Sequence, residues 1–206
     1  MATKSLGICG LDEAGRGALA GPMVVAAVVL GKDFKFGDVA PEIVMKDSKQ
    51  MSNLQREKAF QLIKKHSLLI ELEIMTVQEI NKMGVGWANM EAFKRLIRKI
   101  DSNQYIVDGR WRSGDLGDKT PLVQCMIDAD EIVSSTMSAG IVAKYKHDQI
   151  MLGLHSQYSE YGWNTNTGHG TQQHIKAIHE YGTNEHHRVR FVETAIRHAS
   201  ERMKFR

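Results

Sequence analysis

The sequence predicts an α/β fold on two observations: apolar runs of strand length recur along the chain, and segments with helical stripes separate them. A third observation points to chemistry. The first strand runs into the octapeptide Gly-Leu-Asp-Glu-Ala-Gly-Arg-Gly at Gly10 to Gly17, which sets two carboxylates beside a glycine-flanked arginine turn.

Leu6 to Leu11 (LGICGL) and Met23 to Leu30 (MVVAAVVL) read as two buried strands with a Gly/Pro break between them. Asp12 therefore stands where an apolar strand stops. Glycine has no Cβ, so Gly15 and Gly17 are expected to adopt positive φ and let backbone atoms touch a ligand, while Arg16 between them suits a phosphate. Ser52 caps a helix running to about His66 with Leu54, Phe60 and Ile63 inward, and Leu68 to Met75 reads as a third strand. Thr76-Val77-Gln78-Glu79 is a capping box. A further helix follows Gly86, with Met90, Phe93, Ile97 and Ile100 on one stripe.

Gln104 to Val107 is β-prone and ends in Asp108-Gly109, which repeats the pattern of a carboxylate at a strand end; alone, Asp-Gly is as readily a turn. Pro121 to Ile127 reads as another strand. Asp128-Ala129-Asp130 then opens a helical segment to about Leu154, where one of the two aspartates serves as N-cap.

The 206 residues carry no internal repeat, low-complexity tract or linker, so a single domain is expected over 1–206, with roughly 155–206 as a C-terminal helical extension. The longest apolar run is too short to cross a bilayer and Met-Ala-Thr-Lys is no secretion segment, so a cytoplasmic site without membrane contact is expected. Cys9 and Cys125 sit in apolar strands without metal-type spacing and read as reduced core thiols. Net charge is only +3, but Arg188, Arg190, Arg197, Arg202, Lys204 and Arg206 gather after His186 against Glu193 and Glu201. Such a patch favours polyanions, although a solvated helix face carries the same letters. The 9 histidines show no consistent ligand spacing.

Asp12, Glu13, Asp108 and an acid of the 128–130 segment place carboxylates at successive element ends. That set suits phosphodiester hydrolysis through two Mg²⁺ or Mn²⁺ ions: hard cations take oxygen ligands, one ion activates water and the other stabilises the leaving oxygen. Without cations such a cluster repels itself and raises the pKa of its members, which makes little sense as a stabilising device.

From about Gly7 to Phe191 the chain resembles the type 2 ribonucleases H, the ribonuclease HII family. The matching stretches are GLDEAGRGALAGPMVVAAVVL from Gly10, KDSKQMS from Lys46, YIVDGR from Tyr105, AGIVAKYKHDQIM from Ala139 and YGWNTNTGHGTQQHIKAIHEYG from Tyr161, with His187-Arg188 and Phe191 closing the pattern. The resemblance implies a ribonuclease H-like fold, a mixed central sheet flanked by helices, with the basic C-terminal helices as one wall of a nucleic-acid groove. It also implies an endonuclease that cuts the RNA strand of RNA–DNA hybrids, including ribonucleotides embedded in duplex DNA, leaving 5′-phosphate and 3′-hydroxyl ends.

By the same resemblance Asp12, Glu13, Asp108 and Asp130 would be the catalytic metal ligands, with Asp12 bridging the ions. Gly15, Arg16 and Gly17 would contact the 2′-hydroxyl, the group that distinguishes RNA from DNA, and Lys49 and Lys144 would bind phosphates. Asp148 also matches a family aspartate, but it lies 18 residues beyond Asp130, about 27 Å of rise in a continuous helix, so Asp130 takes the fourth place and Asp148 that of a neighbour.

Three departures from the family stand out. His169 replaces the tyrosine that stacks on the sugar at an RNA–DNA junction, Asp128-Ala129-Asp130 replaces the usual Lys-Gly-Asp, and Gly140 replaces a serine. Two rival readings follow: a hybrid nuclease with weak single-ribonucleotide specificity because of His169, and a catalytically silent hybrid-binding protein. A monomer is expected, and no sliding-clamp motif is evident at the termini.

Overall fold

A computed structural model describes residues 6–31, 34 and 51–204; Lys49 and most of the KDSKQMS stretch lie outside these described residues. Five strands form one sheet: β1 (Leu6–Ala14), β2 (Met23–Leu30), β3 (Ser67–Met75), β4 (Ser102–Asp108) and β5 (Val123–Met126), in the order β3-β2-β1-β4-β5. β1 and β2 are antiparallel, as are β2 and β3, whereas β4 runs parallel to both β1 and β5. The sheet is therefore mixed, as the resemblance implied, with β1 at the change from antiparallel to parallel pairing.

Alternation along β1 and β2 sends side chains to two separate cores. On one face Cys9, Leu11, Val25 and Ala27 pack with Ala88, Phe93, Leu96 and Ile97. These last four lie on α3 (Val85–Lys99), which follows α2 (Val77–Met83). On the other face Ala14, Val24, Ala26 and Val28 meet α1 (Asn53–His66) and the long helix α5 (Ser134–His155), which comes after the short α4 (Ala129–Ile132). Gly10 lets α5 approach: a Cβ there would lie 2.1 Å from the Thr136 amide nitrogen.

A third cluster joins Leu19 and Ala20 of the β1–β2 connection to Met151, Trp163 and Ile178. Its outer elements are α6 (Trp163–Asn166), α7 (Gln172–Tyr181) and α8 (Val189–Lys204). Among the described residues, no helix is long and apolar enough to cross a membrane.

Local chemistry accounts for most boundaries. Ser52 and Gln55 form a capping box at α1, and Thr76 and Glu79 form another at α2. Neither Cys9 nor Cys125 is in a disulfide, and burial pushes the Cys9 thiol up to about 12, as suits an inert core group.

Several expectations are corrected. β1 continues through Asp12 and Glu13 to Ala14, because both acids pair with β2 in register. Leu54 is 63% exposed, since it lies on the side of α1 away from Phe60 and Ile63. The strand expected over 121–127 shrinks to β5, with a 3₁₀ turn at Thr120–Leu122 where proline lacks the amide a ladder needs. The segment expected to run helical to Leu154 breaks at Val133, which is extended at φ −106° and ψ 112°. Neither Asp128 nor Asp130 caps it: Asp128 makes no capping bond, and the Asp108 side chain accepts from the Ala129 amide instead.

Candidate active site

Register brings the acids together. Leu11 pairs with Val107 in the parallel ladder, so Asp12 and Asp108 are the next residues on adjacent strands. Asp108 in turn pairs with Met126 of β5, four residues before Asp130. The carboxyl ends of parallel strands are where open α/β sheets place their ligands. Asp12, Glu13, Asp108 and Asp130 all line one pocket of about 300 Å³, shared with Gly15, Arg16, Gly17, Lys144 and His169.

Asp12 and Glu13 are consecutive in a strand and so leave it on opposite faces. Asp12 is 8% exposed and turned towards α5; its Oδ1 accepts from the Glu13 amide at 2.7 Å. Burial, then the charges of Glu13, Asp108 and Asp130, hold its pKa well above the usual carboxylate range despite that bond. Glu13 leans towards α3 and is likewise raised, first by burial and further by Asp108, with Arg16 opposing. The fully buried Asn89 amide favours the charged Glu13 but makes no hydrogen bond of full geometry.

All these donors are carboxylate oxygens, a set suited to hard divalent cations. Among the described residues, no three His, Cys, Asp or Glu side chains stand close enough to hold one ion. The spacing has physical causes: the acids repel one another, Asp12 and Glu13 emerge on opposite faces, and Asp108 is bonded to the Ala129 amide at 2.9 Å.

The β1–β2 connection supplies the rest of the pocket. Gly15 has φ +81°, a conformation favouring glycine, and a Cβ there would lie 2.4 Å from the His147 ring. Gly17 departs from expectation: its φ is not positive, and a Cβ there would meet nothing within 4 Å. The Ala18 amide donates to the Gly15 carbonyl at 3.3 Å, closing a four-residue turn with Arg16 and Gly17 at its centre. Arg16 is half exposed, 3.5 Å from Glu13 and 5.6 Å from the centre of the Trp111 ring.

One stripe of α5 sets this connection in place. Gly140 lies under Asp12, Lys144 reaches the pocket, His147 packs on Gly15, and Met151 packs on Gly21 and Gly168. Their 4, 3 and 4 residue spacings keep all on one helix face. Lys144 pairs with Asp148 at 2.7 Å, and Asp148 also pairs with Arg56 at 2.9 Å. Asp148 opens onto a neighbouring pocket rather than the one lined by the acids.

The C-terminal segment braces the same turn. Arg188 is fully buried, so it leaves the exposed basic tail to which the sequence assigned it. Its guanidinium donates to the carbonyls of Gly21, Arg16 and Pro22, each at 2.9 Å. The amides of Leu19 and Ala20 donate to the Gly168 carbonyl, which fixes exposed His169 at the pocket rim. His174 and His187 form a buried network with Trp163, whose indole donates to His174 at 3.0 Å.

Sequence reasoning did not single out His147, Asn89, Trp111 or the role of Arg188. His147 lies within the AGIVAKYKHDQIM stretch and the His187-Arg188 pair closes the family pattern, but neither signal told what His147 or Arg188 does.

Comparisons with known proteins give the family and the fold. A family model described as Ribonuclease HII matches residues 9–194. Ribonuclease HII of Orientia tsutsugamushi (strain Boryong) is 38% identical over 193 residues, covering 89% of this chain and 85% of that protein. Ribonuclease HII of Burkholderia pseudomallei (strain 668) is 35% identical over 191 residues, covering 90% and 83%. The fold is similar to that in the structure of the PCNA:RNase HII complex from Archaeoglobus fulgidus, with TM-score 0.76, 23% identity, and coverage of 89% of this chain and 94% of that one. On these matches the chain belongs to the ribonuclease HII family, and it is a metal-dependent endoribonuclease, a phosphodiester hydrolase of RNA–DNA hybrids.

Proposed function

We propose that this enzyme cuts the RNA strand of RNA–DNA hybrids and also single ribonucleotides embedded in duplex DNA, on the 5′ side of the ribonucleotide, with two Mg²⁺ or Mn²⁺ ions. The observation that carries this reading is the pocket in which Asp12, Glu13, Asp108 and Asp130 adjoin the Gly15–Gly17 turn.

Asp12, Glu13, Asp108 and Asp130 would hold the ions, whose positive charge would offset the burial and the mutual repulsion that raise the Asp12 and Glu13 pKa values. When bound, such a pair of ions supplies an activated water and charge stabilisation for the leaving oxygen. Lys144 places a cation at the pocket wall facing the backbone phosphates, while Asp148 fixes its position. The exposed turn at Arg16 and Gly17 offers backbone atoms to the 2′-hydroxyl, which no side chain at Gly17 obstructs. No protein nucleophile is needed, and Lys49 would contribute a further phosphate contact.

A second reading is favoured by His169, whose imidazole at the rim is smaller than a phenol ring and whose pKa is lowered from the ordinary 6.5, first by partial desolvation against the pocket wall and then by Lys144. Here the enzyme degrades continuous hybrids and handles lone ribonucleotides weakly. Four acids in one pocket argue against a silent binding protein. Cleavage mapping on a duplex with one ribonucleotide and on a long hybrid, for the unsubstituted chain and for His169→Tyr, separates the readings. Single-site cleavage by the unsubstituted chain supports the first; cleavage gained only with tyrosine supports the second.

A further inference from the structure

We propose that Arg188 is a positioning residue for ribonucleotide recognition: bonded to the Arg16 carbonyl from inside the protein, it holds the Arg16–Gly17 peptide with the Gly17 N–H turned to the groove. This role rests on the proposed contact between the turn and the ribonucleotide.

Arg188 is fully buried, and among the described residues no carboxylate pairs with it. A buried charge is costly unless its donors are satisfied, and a well-packed apolar side chain would fill the space without that cost. What the guanidinium adds is a planar fork, and its bonds converge on the carbonyls of Arg16, Gly21 and Pro22, all within one loop. Its own amide donates to the Leu19 carbonyl at 2.7 Å, and the Gly21 amide donates to the His186 carbonyl at 2.8 Å. Arg188 and the loop are thus tied at four points, and His186 adds a fifth.

The consequence for Gly17 follows from peptide geometry. In a planar trans peptide the C=O and N–H point in opposite directions. Arg188 holds the Arg16 carbonyl inward, so the Gly17 N–H faces outward, where Gly17 is exposed and lines the pocket. Among the described residues no acceptor takes that N–H, whereas the next amide, that of Ala18, is used within the turn. A cation on the carbonyl also polarises the peptide and makes its N–H a stronger donor. Arg188 touches no substrate in this arrangement; it presets a backbone donor.

The test is binding of a duplex with one ribonucleotide against the same all-deoxy duplex, in an Asp12→Asn background that does not cleave. Arg188→Lys keeps the charge and loses the fork; Arg188→Met keeps bulk alone. Both are expected to lower the ribonucleotide-to-deoxy affinity ratio by about tenfold, the equivalent of one neutral hydrogen bond, with all-deoxy affinity unchanged. An unchanged ratio in a folded variant overturns the role of Arg188. A ratio of one with Arg188 intact overturns the ribonucleotide contact itself, and this role with it. Should both variants fail to fold, NMR of the unsubstituted Arg188 chain decides: the Gly17 amide resonance should shift with the ribonucleotide duplex and not with the all-deoxy one, and equal response to both overturns the proposal.

Discussion

Gly140 lies so close to Asp12 that a Cβ on it would stand 2.4 Å from Asp12 Oδ2. The helix that carries Gly140 is buried against β1, whereas the Asp12 carboxylate is the free end of a side chain. Added bulk at 140 therefore moves the acid rather than the helix.

Gly140→Ala is expected to lower cleavage by about 10²-fold, the scale for misplacing a catalytic group by an ångström. Stability should change little, because alanine gains about 1 kcal/mol in helix propensity and offsets the crowding. Initial rates measured beside thermal unfolding check both halves, and full activity would remove the claim that Gly140 sets the Asp12 position.

The two glycines of the turn should behave differently. Gly15→Ala forces alanine to φ +81° and into the His147 ring, and should cost about 1–3 kcal/mol in urea unfolding. Gly17→Ala has open space and should stay within about 0.5 kcal/mol of the parent. Its loss should appear in binding to the ribonucleotide duplex. Equal stability losses for the two variants would contradict this division.

Asp12→Asn should abolish metal-dependent cleavage while hybrid binding persists, and it should stabilise the ion-free protein. The Asp12 pKa is raised above the ordinary 3.8, so its favourable contribution is complete below that value and is lost as pH rises towards the folded pKa. In EDTA at neutral pH the variant should melt about 2–8 °C higher, equivalent to roughly 1–2 kcal/mol. Added Mn²⁺ should stabilise the parent more than the variant, by preferential binding to the folded state. A variant that melts lower in EDTA would show that Asp12 is not electrostatically frustrated.

His187 gives the opposite pH dependence. Burial, then His174, lowers its pKa from 6.5 to about 4, so its contribution is present above 6.5 and is lost as pH falls towards 4. The loss should reach roughly 3 kcal/mol at most. His187→Gln should flatten urea midpoints across that window; parallel pH profiles for parent and variant would exclude His187 as the source.

What was legible in the sequence was what local chemistry decides. The apolar run of β2 and the Thr76–Glu79 capping box appear where periodicity and spacing put them. Asp108 was readable as a strand-end acid, but its nearness to Asp12 depends on parallel pairing, which no local pattern encodes. The same limit hid the part played by His147, which is its packing against Gly15, and that of Arg188, whose bond to the Arg16 carbonyl spans 172 positions. Leu54 read as inward on its apolar character, yet its spacings of six and nine residues from Phe60 and Ile63 turn it to another side of the helix. Basic letters near the C-terminus suggested a uniform exposed patch, while packing against the β1–β2 connection removed Arg188 from it.

The central claim is that Asp12, Glu13, Asp108 and Asp130 serve one pair of ions. Anomalous diffraction from crystals soaked with manganese tests it most directly. Two manganese peaks in the pocket, ligated by these four carboxylates drawn inward, are expected; an empty pocket at saturating manganese, or peaks ligated by other side chains, would contradict it.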